Sequence, residues 1–270
     1  MKFMDRFSLT ALLVMLAFTS GCGDSAEGVL PNGGAPAVSG GTIRGRVVLQ
    51  GEVPKAASDT ITQDQKVCGS SVSLPRIALG KDNGVQGTFV IVEGVENPSG
   101  VRPAATTQSI LIDQKECQYV PHTMIVPVNS KVEITNSDPI LHNVNGRQGD
   151  SKVFNYAQAR QGQRETVDMA MTKPGIITLG CDAGHPWMNA FIYVASNPYV
   201  ALTDSNGEFV IKDVPPGTYT LKMWHEGVVL KDINKRLQTY NYEDPYELTQ
   251  QVTVAANTDA SANFELVLRK

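Results

Sequence analysis

The 270-residue chain holds only four histidines, four cysteines and two tryptophans. That scarcity bounds its metal chemistry, since one site is within reach and a cluster of ions is not. Positive charge is not in excess either. Lys and Arg number 23 against 27 Asp and Glu, a formal charge of −4, which leaves no broad basic surface for a phosphate backbone and excludes nucleic acid as an expected partner. The sequence has no Cys-x-x-Cys-His for haem attachment, no Ser/His/Asp hydrolase signature, no His-x-His pair and no repeat of fixed period. What remains, 41% apolar and 19% charged residues, is ordinary globular composition and excludes general disorder or a collagen-like chain. The length accommodates two domains of ~100–150 residues.

The apolar run Leu9 to Phe18 has ten residues, short of the ~20 that span a bilayer, and follows Lys2 and Arg6. It reads as a secretory signal. Thr19-Ser20-Gly21-Cys22 resembles the lipobox of bacterial lipoprotein precursors. The resemblance implies a lipoprotein signal peptide over 1–21 and acylation of Cys22, a membrane anchor worth ~0.8 kcal/mol per buried methylene. An ordinary signal peptide with an incidental Cys22 is the alternative. Residues 22–41, crowded with Gly, Ala, Pro and Ser, have the composition of a flexible tether with a mean reach of ~25 Å. An exported, lipid-anchored protein of the bacterial envelope is expected, on the periplasmic side or at the cell surface. Gly23 stands where an Asp would signal inner-membrane retention, which favours the outer membrane.

From Thr42 onward, short β-branched runs alternate with turn signals. Ile43–Leu49, Thr88–Val92, Thr123–Val128, Lys131–Thr135, Ile176–Cys181 and Ala190–Ala195 read as strands, and no amphipathic helix exceeds two turns. The fold class expected is all-β. A second unit is expected from about Pro198, giving domains of 42–197 and 198–270. Its first element, Tyr199–Ile211, reads as a hairpin around Asp204-Ser-Asn-Gly207. Asp-x-Asn-Gly is also half a calcium loop, but the distal bidentate Glu is missing.

Two segments carry chemistry. Cys181-Asp-Ala-Gly-His185-Pro-Trp-Met188 places a thiol, an imidazole and a thioether on one loop between two strands, and Ile140-Leu-His142-Asn143-Val144 adds an imidazole after a turn. Two imidazoles, one thiolate and a weak axial thioether suit electron-transfer copper, because soft sulfur favours Cu(I) while imidazole accommodates Cu(II). Structural zinc would want four strong N/S ligands.

These segments resemble cupredoxins of the plastocyanin and azurin kind. More narrowly, they resemble the bacterial methylamine-utilisation-like proteins in which an HPWM loop precedes a carboxypeptidase-regulatory or transthyretin-like sandwich. Thr203–Phe209, Val214–Tyr219 and Trp224-His-Glu226 carry the second part. The resemblance implies a cupredoxin Greek-key β-sandwich followed by a small transthyretin-like antiparallel β-sandwich. It also implies one copper ion (Cu+/Cu2+) on His142, Cys181, His185 and Met188. Asn143 would hydrogen-bond across the site and hold the Cys loop. Close relatives place two residues between the loop Cys and His, whereas Asp182, Ala183 and Gly184 make three here, a change that would move the absorption from blue toward green or red.

The function expected is one-electron transfer rather than catalysis, with a redox partner protein such as a c-type cytochrome or an oxidoreductase. His185 is the expected electron exit, and Pro186 and Trp187 the docking patch around it; Trp187 as a core anchor is the alternative. Two other classes remain: envelope copper binding or delivery, and a copper-free surface module that binds carbohydrate or protein. His122 and His225 read as structural. With Cys22 assigned to lipid and Cys181 to copper, Cys68 and Cys117 are left as a disulfide pair in an oxidising compartment, with two free thiols as the alternative.

Overall fold

Strand Gly41–Gln50 turns Ile43, Val47 and Leu49 inward and Arg44 outward, the period-two pattern of a strand with one buried face. The same logic runs through the chain. The computed structural model describes residues 39–53, 57–74, 77–95, 110–167, 171–234 and 239–269. The residues expected to form the signal peptide, Cys22 and nearly all of the expected tether lie outside them. The architecture is all-β, and a single helical turn, Gln65–Cys68, is the α-helix among the described residues.

Two β-sandwiches account for most strands. In the one that holds the site, a five-stranded sheet runs in the order Ser151–Gln158, His142–Gln148, Gly175–Gly180, Asn189–Ala195, Thr123–Pro127. It faces a four-stranded sheet of Arg164–Val167, Val132–Asn136, Leu111–Lys115 and Gln118–Val120. Val126, Ile134, Val144, Ile177, Leu179 and Ile192 fill the space between them. The other sandwich pairs Gly41–Gln50 antiparallel with Glu208–Val214 and parallel with Asp259–Ser261 and Phe264–Val267. Its second sheet has the order Val200–Leu202, Phe89–Glu93, Gly217–His225, Tyr246–Val254.

The expected division at Pro198 is therefore corrected. Gly41–Gln50 and Phe89–Glu93 fall before that boundary, yet both hydrogen-bond to strands that follow it. The site-bearing sandwich is an insertion between Phe89–Glu93 and Val200–Leu202, and Val38–Lys270 forms one compact unit. The junction is aromatic. Phe89, Phe191 and Trp224 are buried together, with ring centroids 5.7 Å apart for Phe89–Trp224 and 5.1 Å for Phe191–Trp224. Strand Phe89–Glu93 consequently buries both faces, Val90 and Val92 into one core and Phe89 into the junction, which explains its uninterrupted apolar sequence.

The hairpin expected over Tyr199–Ile211 is also corrected. Val200–Leu202 pairs with Phe89–Glu93 while Glu208–Val214 pairs with Gly41–Gln50, so the intervening turn is a corner between two sheets. Asp204 Oδ1 accepts the N–H groups of Asn206 (2.8 Å) and Glu208 (2.9 Å), which uses the carboxylate without any calcium. Gly207 sits at φ 76°, and a Cβ there would stand 2.4 Å from Val47 O, so the corner requires glycine. The polar excursion after Glu226 contains its own two-stranded hairpin, Leu230–Asn234 with Thr239–Tyr242.

Candidate metal centre

The turn before His142 is folded by Asn136. Its Nδ2 donates to Ile140 O (2.8 Å) and its Oδ1 accepts the N–H of Asp138 (2.9 Å). Asp138 is thereby fixed and buried. Its Oδ1 accepts the N–H of Glu116 (2.9 Å), and its Oδ2 takes both the N–H of Cys117 (2.9 Å) and Nε2–H of His142 (2.9 Å). His142 opens strand His142–Gln148, opposite Gln158 in the sheet.

Cys181 and His185 come from the loop that joins Gly175–Gly180 to Asn189–Ala195. Gly184, at φ 88°, bends this loop, and the N–H of Met188 donates to His185 O (3.0 Å). Trp187 anchors the loop: its Nε1–H donates to Cys117 O (3.2 Å) and its ring stands edge-on to His185, 5.3 Å between centroids. Asn143 Oδ1 accepts the N–H of Asp182 (3.2 Å).

The structure brings His142, Cys181 and His185 together. Nδ1 of His142 lies 3.1 Å from Nδ1 of His185, and Cys181 Sγ lies 3.7 Å from that same Nδ1; all three ligand atoms fall within 4.8 Å of one another. Met188 is buried in the same core. His185 Nε2 is held by Asp64 Oδ2 at 3.0 Å, as Asp138 holds His142. A carboxylate on each Nε2 places the ring proton there and leaves a lone pair on each Nδ1. Two lone pairs facing each other at 3.1 Å call for a cation between them. Nitrogen and sulfur ligands bound at the usual ~2.0–2.3 Å stand about 3–4 Å from each other around one ion, so the donor set fits a metal. A second grouping, Cys117 with Asp138 and His142, offers no sulfur because Cys117 is in a disulfide.

Burial lowers the His142 pKa and raises that of the Cys181 thiol. Both shifts favour neutral forms, so the imidazole is ready to ligate and the thiol gives up its proton when a metal arrives. The N–H groups of Ala183, Asn143 and His185 work against the rise at Cys181. Tyr119, likewise buried, donates its hydroxyl to Asn143 O, and burial pushes its pKa well up.

One expectation about the site is corrected. His185 is 0% exposed and Trp187 6%, so neither reaches the surface as an electron exit or docking patch. Asp64 lies over His185, and Gln63 Nε2 donates to Ala183 O (3.0 Å), closing the face that the loop would otherwise present. Cys68 and Cys117 are disulfide-bonded across 49 positions, which ties the Asp64 segment to the backbone that Asp138 grips. Sequence reasoning missed both carboxylates. Asp138 had a local signal, four positions before His142; Asp64 had none, being 121 positions from its partner. His122 and His225 lie apart from this centre, alongside Glu226.

A family model described as polysaccharide lyase family 4, domain II, matches residues 172–262, about a third of the chain, and no match to a transthyretin-like module accompanies it. No curated protein matches the chain. Among solved structures, the chain is similar to a Cu-containing nitrite reductase from Thermus scotoductus SA-01, at 23% identity and TM-score 0.29, over 33% of this chain and 23% of that one. The match thus spans about a quarter of the nitrite reductase. A purple cupredoxin from Nitrosopumilus maritimus is 21% identical with TM-score 0.28, over 32% of this chain and all of that one. An amicyanin variant in its Cu(I) form is 20% identical with TM-score 0.28, over 39% of this chain and 98% of that one.

Proposed function

We propose that this chain is a one-electron carrier that holds a single copper ion on His142, Cys181 and His185, with Met188 as the weak fourth ligand. It acts in the bacterial cell envelope on a lipid anchor at Cys22 and exchanges electrons with a partner protein such as a c-type cytochrome or an oxidoreductase. The observation that carries the reading is the pair of Nδ1 lone pairs, 3.1 Å apart beside a thiol sulfur, each set by a carboxylate on the far side of its ring.

When bound, copper supplies one-electron Cu(I)/Cu(II) chemistry. The protein's own residues supply rigidity and dryness. Asp138 and Asp64 fix both rings, Asn143 and Trp187 fix the Cys loop, and the disulfide fixes the segment that bears Asp64. Such bracing resists rearrangement of the ligands when the charge changes. His142, His185 and Met188 are 0–1% exposed, which supports a closed carrier site over the open position a catalytic metal keeps. Burial on this scale also favours retention of the ion over its delivery to another protein.

The test is a Cu(II) titration of the full chain followed by visible absorption and EPR, with Cys181→Ser as control. An intense thiolate-to-copper band that vanishes in the control is the expected result. A colourless protein with weak signals indifferent to Cys181→Ser overturns the reading and leaves a copper-free interaction module.

A further inference from the structure

The disulfide lies against the copper centre. Cys117 Sγ, a carboxylate oxygen of Asp138 and a ring nitrogen of His142 all fall within 4.8 Å of one another, and all three residues are buried. Of the two ring nitrogens, Nε2 is the one that faces Asp138, at 2.9 Å. Cys68 Sγ is bonded to Cys117 Sγ and so stands at the same point. While the S–S bond is closed, neither sulfur has a thiolate to offer. Once it is open, two thiolates, one carboxylate and one imidazole surround a single point, a four-donor set suited to Zn2+.

The bond is approachable from one side. Cys68 is half-buried and lines a cavity of about 210 Å³ with Ser71, Ser73 and Gln118, whereas Cys117 is 0% exposed. A dithiol reductant that reaches this cavity attacks Cys68 Sγ, forms a mixed disulfide and releases the Cys117 thiolate; its second thiol then displaces Cys68, and the reductant leaves as a disulfide. Two electrons pass from the reductant to the protein, and two protons are released once Zn2+ holds both sulfurs. We propose that the reduced chain binds one Zn2+ ion on Cys68, Cys117, Asp138 and His142. To bind through Nε2, His142 moves its proton to Nδ1. That nitrogen lies 3.1 Å from Nδ1 of His185 and donates a hydrogen bond to the lone pair there. The ring is thus satisfied in either tautomer: its lone pair sits on Nδ1 for copper and on Nε2 for zinc, and the state of the disulfide selects between them. That selection rests on the copper reading above; the zinc site does not.

The test uses the full chain carrying Cys22→Ser and Cys181→Ser, in which Cys68 and Cys117 are the remaining cysteines. One portion is kept oxidised; the other is reduced with dithiothreitol and freed of it under exclusion of air. Both are titrated with Co2+, a spectroscopic stand-in for Zn2+. An ion held by the imidazoles of His142 and His185 in this chain has no sulfur ligand, so thiolate-to-cobalt absorption reads the proposed site alone. The expected result is an absorption that saturates at one equivalent in the reduced portion, is absent from the oxidised one and is bleached by Zn2+. Asp138→Asn and His142→Gln should each weaken the affinity by at least about tenfold, the lower end of what loss of even an outer partner does to a metal site. No saturable absorption in the reduced chain overturns the proposal, as does an affinity that either variant leaves unchanged. Should the variants fail to fold, the oxidised and reduced portions, identical in sequence, decide. Copper and Cys181 take no part, so failure here leaves the electron-carrier reading standing.

Discussion

Asp138 grips His142 with the same carboxylate oxygen that accepts the N–H of disulfide-bonded Cys117, both at 2.9 Å. One side chain thus serves the orientation of a ligand and the placement of the cross-link.

Asp138→Ala should therefore cost twice. Copper affinity, measured by chelator competition, is expected to fall about 10–100-fold from loss of the ring's partner. Denaturant melts of the metal-free protein should show a further loss of roughly 1–3 kcal/mol, because the N–H groups of Glu116 and Cys117 lose their acceptor. An affinity within error of the parent protein would mean that the ring is held by packing alone.

Asp64 closes the other ring from outside. In Asp64→Ala the edge of His185 opens to solvent, and transfer of copper to a strong external chelator should accelerate, by roughly tenfold on the scale of outer-partner losses. Stopped-flow bleaching of the thiolate band measures it, and an unchanged rate would show that the ion leaves by another face.

Removing the Cys68–Cys117 bridge as a paired Ser variant releases a loop of 49 positions, for which chain entropy gives about 4 kcal/mol as an upper figure. The urea midpoint should fall accordingly, and the chelator rate should rise as in Asp64→Ala, since the bridge holds that segment. A lower midpoint with unaltered copper exchange would separate the two roles.

The metal-free protein should lose stability in acid before its carboxylates titrate. Burial lowers the folded pKa of His225, and of His142 in the same sense. Above the unfolded value near 6.5 folded and unfolded chains are both neutral and the stability is complete. As the pH falls below it, the unfolded chain takes up protons that the folded chain refuses, and stability drops until the lower folded values are reached. Thermal melts at pH 8 and pH 5.5 should show this drop, and His225→Gln should flatten it. A variant as pH-sensitive as the parent would exclude His225 as a source.

Much of this was legible from local pattern. The strands Gly41–Gln50 and Phe89–Glu93 announce themselves by β-branched residues between turns, and the loop Cys181 to Met188 places its donors within eight positions. What the sequence hides is pairing at a distance. Nothing near Arg46 says that its strand neighbour is Glu208, 162 positions on, so a domain boundary drawn by composition cut through a sheet. The corner at Asp204–Gly207 shows the same limit, since turn chemistry specifies that the chain bends and says nothing of which sheet receives the next strand. Asp64 was invisible for a related reason: a carboxylate four residues before a cysteine means nothing until the fold carries it to His185.

The inserted arrangement of the site-bearing sandwich has a mechanical meaning. A chain held by its N-terminus is loaded through Gly41–Gln50, which has Glu208–Val214 on one side and Asp259–Ser261 and Phe264–Val267 on the other. Pulling along that strand shears two rows of hydrogen bonds at once, the geometry in which they share the force. The sandwich with the histidines and the thiol joins that frame at both its ends, but the segment bearing Asp64 and Cys68 follows the loaded strand directly in the chain, so tension on the N-terminus would reach the site through that segment and its disulfide.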